Sequence, residues 1–149
     1  MSGFIDPTRE QFAEFRELQG PGPIHMLNLV RLRDRAIYPD GREVSGHEAY
    51  QAYARESEPV IKRLGARQFW IGRFEHMLIG PSDERWDHVF IAEYPSGAAF
   101  VSMVRDPQYR EAVKHRQAAV EDSRLIRLQP RVPGTSFGEE RGAAYDVID

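Results

Sequence analysis

Residues 86–128, WDHVFIAEYPSGAAFVSMVRDPQYREAVKHRQAAVEDSRLIRL, contain the unit around which the rest of this chain is arranged. Apolar and polar residues alternate over 88–94, which predicts a β-strand that ends at a Pro-Ser pair. Apolar residues at helical spacing follow. An Asp-Pro pair interrupts this pattern, which then begins again as a second helix. A second apolar run predicts a last strand over 123–129. Strand, helix, strand is the smallest unit that buries one face of a helix against a sheet.

The chain has 149 residues, which predicts a single globular domain spanning 1–149. Hydrophobic residues make up 41% of it and charged residues 29%, so a core can form without metal ions or disulfides. The net charge of −3 argues against a nucleic-acid-binding protein that relies on a basic surface. The chain contains no cysteine, which excludes a disulfide framework, a thiolate nucleophile and a zinc–thiolate site.

Nothing in the sequence indicates a membrane or a secretory pathway. No apolar run is long enough to cross a bilayer. The N-terminal sequence MSGFIDPTRE has neither the basic region nor the apolar region of a secretory signal. We therefore expect a cytoplasmic protein with neither membrane nor nucleic acid among its partners.

Both ends of the chain lie outside the predicted domain core, which we place at about 24–129. The sequence predicts an extra N-terminal helix over 7–18, with Asp6 as its cap and proline at its first position. Together with a Gly-Pro-rich linker, this helix accounts for 1–22. Prolines, glycines and weak periodicity in 130–149 indicate a tail that either lies on a partner subunit or stays mobile.

Within the core, a strand over 24–32 is apolar on both faces, as is typical of a covered central strand. A polar loop with a Tyr-Pro-Asp-Gly turn leads to a helix that is capped by Ser45 and ends at Gly65. Pro59 lies inside that helix and predicts a kink or a break. A strand over 67–74 follows, antiparallel to the strand that comes after it.

The predicted order is a helix followed by β-α-β-β-α-β, the split arrangement of the α+β, ferredoxin-like plan. In that plan a four-stranded antiparallel sheet carries helices on one face only. The first strand places Met26 and Val30 on one face and Leu27 and Leu29 on the other. Because an open apolar sheet face of this size normally marks an interface, we expect a homodimer joined through its sheet faces.

The segment EYPSGAAFVSMVRDPQYREAVKHRQAAVEDSRLI resembles the domain of unknown function 1330 family. In that family a strand ends in aromatic-Pro-Ser, a helix is interrupted at Pro-x-Tyr, and an arginine follows about two turns later. The matching positions here are Tyr94, Pro95, Ser96, Pro107, Tyr109 and Arg116. Upstream, a similar spacing is shared by Tyr50, Tyr53, Pro59 and Gly65.

The resemblance covers roughly 24–128 and implies a dimeric α+β barrel, here with an added N-terminal helix. It implies little chemistry, because the family has no agreed catalytic residues. By analogy with other dimeric α+β barrels, each subunit would hold one small molecule between its sheet and its helices.

Two polar side chains on predicted apolar surfaces are candidate ligand contacts. Asn28 lies within the first strand, where a buried amide without a hydrogen bond costs about 1–3 kcal/mol. It is either a polar anchor in a ligand pocket or a partner of a nearby loop or helix cap. Arg116 lies on a helix stripe, where it could clamp a carboxylate. Its alternatives are an ion pair with Glu93 or Asp87, or extension of its charged end into solvent.

Tyr53, Trp70 and Tyr94 are candidates to line an aromatic ligand pocket, the alternative being an ordinary core role. His25 on the first strand is a candidate general base, the alternative being a histidine bonded within the structure. No histidine pair has the spacing of metal ligands, so no metal site is predicted. No phosphate-binding loop or cofactor fingerprint is present, so we expect no cofactor.

Three functional hypotheses follow. The first is a cofactor-independent enzyme acting on a small aromatic or polyketide-like substrate. The second is a non-catalytic ligand-binding or stress-associated dimer, and the third is a structural dimer without a pocket. A cavity with polar side chains would favour the first two over the third. A histidine or carboxylate with a shifted pKa beside that cavity would favour the enzyme.

Overall fold

The computed structural model describes residues 3–18 and 20–143 of the chain. The elements found there are α1 (Arg9–Glu17), β1 (Ile24–Leu32), α2 (Gly46–Arg63), β2 (Arg67–Gly72), β3 (His88–Tyr94), α3 (Gly97–Arg105), α4 (Pro107–Ala119), β4 (Val120–Leu128), β5 (Arg131–Pro133) and β6 (Glu140–Ala143). None of the helices in these described ranges has the length and apolar character needed to cross a membrane.

Strands β1 to β4 form one antiparallel sheet in the order β2-β3-β1-β4. The predicted α+β, ferredoxin-like βαββαβ plan is therefore confirmed, with β1 in the interior of the sheet. Asn28 pairs with Phe90 of β3 on one side and with Leu125 of β4 on the other. Paired residues of an antiparallel sheet share a face, so these three side chains lie together.

The N-terminal helix begins two residues later than predicted, and Asp6 is not its cap. Thr8 is the N-cap, because its side chain accepts a hydrogen bond from the Gln11 backbone N–H at 3.0 Å. The Gln11 side chain in turn accepts from the Thr8 N–H, at 3.4 Å. This reciprocal capping box satisfies two helix-end donors, which an aspartate two residues earlier cannot do.

Helix α2 is a single helix through Pro59, so the predicted break does not occur. Ser45 caps it as predicted and accepts a hydrogen bond from the Glu48 N–H at 3.0 Å. Val60, adjacent to the proline, is completely buried, and such burial contributes roughly 1.5–3 kcal/mol. This packing holds the turn around the proline in place. Gly65 ends the helix with a φ of 79°, which only glycine adopts easily.

The core lies between the helices and one face of the sheet, which we call the helix face. A first cluster packs β1 and β3 against α2, α3 and α4; it is centred on Ile24, Met26, Val60, Tyr94, Phe100, Met103 and Tyr109. A second cluster lies at the other end of β1; it is centred on Val30, Ala36, Ala49, Tyr50, Ala118, Ala119 and Val120. The space between the two clusters contains the candidate site.

The opposite side of the sheet, the outer face, carries apolar side chains that the described residues leave open to solvent. Leu27 pairs with Ile91 on one side and with Ile126 on the other. Ile126 is 43% exposed, and Leu128 on the same strand is 41% exposed. The predicted apolar second face is therefore present in the folded subunit.

Residues 131–143 contain a two-stranded hairpin where the sequence indicated only a tail. An Arg131–Glu140 ion pair of 2.8 Å joins its strands, and Phe137 near its turn is fully exposed. The rest of the predicted tail, residues 144–149, lies outside the described part of the chain. The hairpin was not predicted because its strands are too short to show a period-two pattern.

Candidate ligand-binding cavity

A cavity of about 1490 Å³ lies between the helix face of the sheet and helices α1, α2, α3 and α4. Met26, Phe90 and Ala92 form part of its floor, and Phe12 and Phe100 form part of its walls. Small-molecule sites usually combine an apolar lining with a few polar groups that fix the ligand's orientation. The polar groups of this cavity are tyrosines, an arginine, an asparagine and a histidine.

Four tyrosines from α2, β3 and α4 surround the inner end of the cavity. The hydroxyl groups of Tyr53 and Tyr109 are 2.8 Å apart and share a hydrogen bond. Tyr50 packs against Tyr53, with ring centroids 5.5 Å apart, and the Tyr94 hydroxyl reaches the sulfur of Met103 at 3.5 Å. A shared phenol–phenol hydrogen bond uses only one of two hydroxyl hydrogens, so one phenol can still donate to a ligand.

Burial raises the pKa of all four tyrosines above their ordinary value of 10.0; the positive charge of Arg116 lowers it, less strongly, for Tyr50, Tyr53 and Tyr109. At a pH between the unfolded and the folded pKa values, the native chain therefore keeps phenol protons that the unfolded chain loses. The resulting stability is complete below the unfolded pKa of about 10 and is lost as the pH rises above it.

We expect at most two of the six tyrosines to form phenolate at about pH 11 while the protein stays folded. The measurement is phenolate absorbance recorded beside far-ultraviolet circular dichroism. The same protein unfolded in urea is the control, and there all six should titrate near pH 10. Four or more phenolates in a chain that keeps its native dichroism would contradict the buried cluster.

Arg116 of α4 reaches across the cavity to the N-terminal segment. Its guanidinium donates to the Ile5 carbonyl at 2.6 Å and to the Ser123 hydroxyl at 3.2 Å. Ser123 donates to the Phe4 carbonyl at 2.7 Å. Residues 3–6, which we call the N-terminal strap, are thus held against the mouth of the cavity by polar contacts from α4 and β4. Among the described residues, neither of the ion pairs given as alternatives for Arg116, with Glu93 or with Asp87, is present.

Asn28 and His88 bring polar groups to the floor of the cavity. The Asn28 side-chain amide donates to the Met26 carbonyl at 3.0 Å, so it bonds its own strand rather than a loop or helix cap. The His88 ring stacks on Tyr50 with centroids 4.7 Å apart. Burial lowers the pKa of His88 below its ordinary 6.5, against a smaller opposing effect of Asp87. At neutral pH the imidazole is therefore uncharged and able to accept a proton.

A comparison of the sequence with protein-family models identifies the family of this chain. The model of the domain of unknown function DUF1330 matches residues 41–128, which is more than half of the chain. This chain belongs to the DUF1330 family. The matched range includes helices α2, α3 and α4 and strands β2, β3 and β4, but not β1. Most of the cavity therefore lies within the family domain. The resemblance inferred from the sequence is confirmed.

Two crystal structures of the RPA0582 protein of Rhodopseudomonas palustris, a protein of unknown function, are similar to this DUF1330 chain along most of its length. The methylated protein is 72% identical, covers 90% of this chain and 99% of its own, and gives a TM-score of 0.88. The second structure is 70% identical, with 89% and 100% coverage and a TM-score of 0.86. A comparison with curated proteins finds no match.

A more distant match is a dimeric protein of unknown function with a ferredoxin-like fold from Bacteroides fragilis. It is 14% identical, covers 71% of this chain and 94% of its own, and has a TM-score of 0.45. A similarity this weak carries no argument about assembly or chemistry.

Four of the sequence-predicted positions of this DUF1330 protein, Asn28, Tyr53, Tyr94 and Arg116, line the cavity. Trp70 does not lie with them. A β-bulge between Gln68 and Trp70 shifts the register, so Trp70 pairs with Ile91 and lies on the outer face, where it is 49% exposed. Strict alternation from Gln68 would have directed it to the helix face.

His25 also lies away from the cavity, on the outer face of the DUF1330 domain. Its Nε2 atom is 2.9 Å from the Glu93 carboxylate, and its ring is 4.4 Å from that of Phe69. Arg67 pairs with the other oxygen of the same carboxylate at 3.0 Å. The structure therefore agrees with the alternative for His25, a histidine bonded within the fold.

Sequence reasoning did not select Tyr50, His88 or Tyr109 as site residues. Tyr50 and Tyr109 lie on apolar stripes of their helices, a pattern that does not distinguish a cavity wall from a packed core. A signal for His88 was present, since it shares the two-residue alternation of β3 with Phe90 and Tyr94. No group of three or more His, Cys, Asp or Glu side chains within residues 3–18 and 20–143 is placed to hold a metal ion.

Proposed function

We propose that this DUF1330 protein binds a small, largely apolar molecule in the cavity between its sheet and helices. Asn28, Tyr53, Tyr94 and Arg116 would contact the ligand, and the working form would be a homodimer joined through the outer sheet faces. The observation that carries the proposal is the meeting of the Tyr53–Tyr109 hydroxyl pair and the Arg116 guanidinium in one apolar cavity. A core without a ligand has no use for such a group of polar atoms beside empty volume.

His88 favours an enzyme over a passive binder. It is an uncharged imidazole at neutral pH, it lines the cavity, and its ring is held by stacking on Tyr50. A general base must be unprotonated before it reacts and must have a fixed position within reach of the substrate. We therefore propose that the ligand is a small aromatic or polyketide-like substrate from which His88 accepts a proton, with no cofactor required for that step.

Filling the cavity should abolish ligand binding. Ala92 lies on the cavity floor, so an Ala92→Phe side chain would occupy the space that a bound ring needs. With a neutral aromatic probe, 2-naphthamide, at about a hundred times its Kd, binding adds about 2.7 kcal/mol of stability. The wild-type melting temperature should then rise by roughly 5–10 °C, and the Ala92→Phe protein should show no rise.

The matched control is Ala98→Phe, because Ala98 is exposed on α3 and does not line the cavity. Its response to the probe should equal that of the wild type. If the probe stabilises the Ala92→Phe protein as much as the wild type, the ligand binds elsewhere and the proposed site is wrong.

A further inference from the structure

The charged side chains that line the cavity are mainly basic. The acidic ones are Asp6 and Glu58, and the basic ones are Lys62, Arg67, Arg116, Arg124 and Arg127. Lys62 has Glu58 as a partner at 3.5 Å, Arg67 has Glu93, and Arg124 has Asp122 at 2.8 Å. Within the described residues, Arg116 has no carboxylate at ion-pair distance.

The partners of Arg116 are neutral atoms, the Ile5 carbonyl and the Ser123 hydroxyl. A guanidinium offers five N–H donors in a fixed fork, and these two bonds leave part of it free. A carboxylate can accept two of these donors at once and brings an opposite charge, which a neutral carbonyl or hydroxyl does not. The half-buried cation therefore gains from a ligand that brings an anionic group. The acidic lining residue Asp6 already accepts from the Gln117 amide at 3.3 Å.

The surroundings of Arg116 define the rest of the ligand. Arg116 acts electrostatically on Tyr50, Tyr53 and Tyr109, so its charge lies close to the aromatic end of the cavity. The rings of Tyr50 and Phe90 line that end and suit a flat aromatic body. Arg127 is the other cavity-lining cation for which the described residues provide no carboxylate partner, and it is stacked over Phe15 at 4.8 Å.

We propose that the cavity selects an aromatic carboxylate, whose anionic group is bound by Arg116 and whose ring lies against Tyr50 and Phe90. The inference rests on the proposed function, because it names the class of ligand for the same cavity. Arg116 binds the carboxylate either in place of the Ile5 carbonyl or in addition to it.

The N-terminal strap stays in place when Arg116 turns to the ligand, since other contacts hold it. The Phe4 N–H donates to Asp122 at 2.9 Å, and the Phe4 carbonyl accepts from Ser123. The Arg124 guanidinium lies 5.0 Å from the Phe4 ring. Loss of the single Arg116–Ile5 bond therefore leaves the strap attached to β4.

The test compares 2-naphthoate with 2-naphthamide, two probes of the same shape that differ in charge, by titration calorimetry at low salt. We expect the wild type to bind the acid at least about tenfold more tightly than the amide, in line with the strength of a charge-assisted pair. Arg116→Gln should weaken binding of the acid and so bring the two affinities within about twofold of each other. Arg110→Gln, at an exposed position of the same helix, removes the same charge and should keep the preference.

Ser123→Ala separates ion pairing from support of the strap, because it removes the bond to Phe4 and one neutral partner of Arg116 but keeps the cation. It should retain the preference for the acid, and losing that preference as fully as Arg116→Gln would overturn the proposal. If Arg116→Gln does not fold, the Nε–H resonance of Arg116 in the wild type provides the readout. It should shift with the acid and not with the amide, and equal shifts overturn the proposal.

The two proposals fail in different ways. Equal binding of acid and amide by the wild type overturns the choice of ligand class and leaves the cavity as a binding site. Binding of neither probe overturns the ligand class and also counts against the proposed function.

Discussion

Replacing Gly46 with alanine is expected to destabilise this DUF1330 protein by about 2–3 kcal/mol and to lower its melting temperature by roughly 5–10 °C. The reason is space and not backbone conformation, because Gly46 does not have a positive φ. A Cβ atom at this position would lie 1.9 Å from the Arg33 carbonyl oxygen. That is far inside contact distance, and the atom it meets belongs to the backbone.

Neither Gly46 nor Arg33 can move away from this contact without weakening a backbone hydrogen bond. The Gly46 N–H donates to the Asp34 carbonyl at 3.2 Å, and the Arg33 N–H donates to the Ala119 carbonyl at 2.8 Å. The first bond ties the start of α2 to the loop after β1, and the second ties that loop to the end of α4. A shift that relieves the clash must weaken one of them, and the affected groups lie next to the second core cluster.

Gly97→Ala is the matched control, because Gly97 is also the first residue of a helix capped by a serine. Its Cβ would meet only the end of the Arg127 side chain, at 3.0 Å, and that side chain can rotate away. A change of stability within about 0.5 kcal/mol, or a small gain, is expected there. Thermal unfolding followed by circular dichroism measures both variants, and equal losses would show that close backbone contact is not the cause.

Placing a charge on the outer face is expected to convert the proposed dimer into a monomer. Ile91 pairs with Leu27 on one side and with Trp70 on the other, so Ile91→Glu puts a carboxylate among apolar side chains. In a single subunit that carboxylate reaches water. In a symmetric sheet-to-sheet dimer it is buried without a partner, at about 3 kcal/mol for each copy. Because the dimer would bury two such carboxylates, the dissociation constant of the dimer should rise roughly ten-thousandfold.

Sedimentation equilibrium of both proteins at micromolar concentration is the measurement. Ile37→Glu serves as the control, since Ile37 is 64% exposed in the loop between β1 and α2 and lies away from the sheet. It should sediment as the wild type does. A wild-type protein that is monomeric, or an Ile91→Glu protein as dimeric as the wild type, would rule out the outer face as the interface.

The same variant shows whether the cavity needs the dimer. The cavity opens on the helix face, and Ile91 lies on the opposite face of the same strand. If the subunit alone forms the site, monomeric Ile91→Glu should bind 2-naphthamide as the wild type does. A loss of binding with the monomer still folded would mean that the partner subunit completes the site.

The sequence by itself determined the element order, the sheet plan and most helix ends, because these depend on local patterns. Ser45, Ser96 and Asp106 cap their helices through bonds that span two or three residues. The two-faced apolar character of β1 likewise follows from alternation along one strand. Asn28 and Arg116 could be selected as candidates because each is a polar residue on an apolar pattern.

Only the tertiary structure decided which candidates meet. Trp70 lies outside the predicted pocket because one extra residue in β2 reverses the direction of every later side chain of the strand. Arg116 bonds one of its partners, Ile5, across 111 residues because the N-terminal strap packs on β4. Register between strands and contacts between distant segments depend on how whole elements pack, and that information is not contained in any short stretch of sequence.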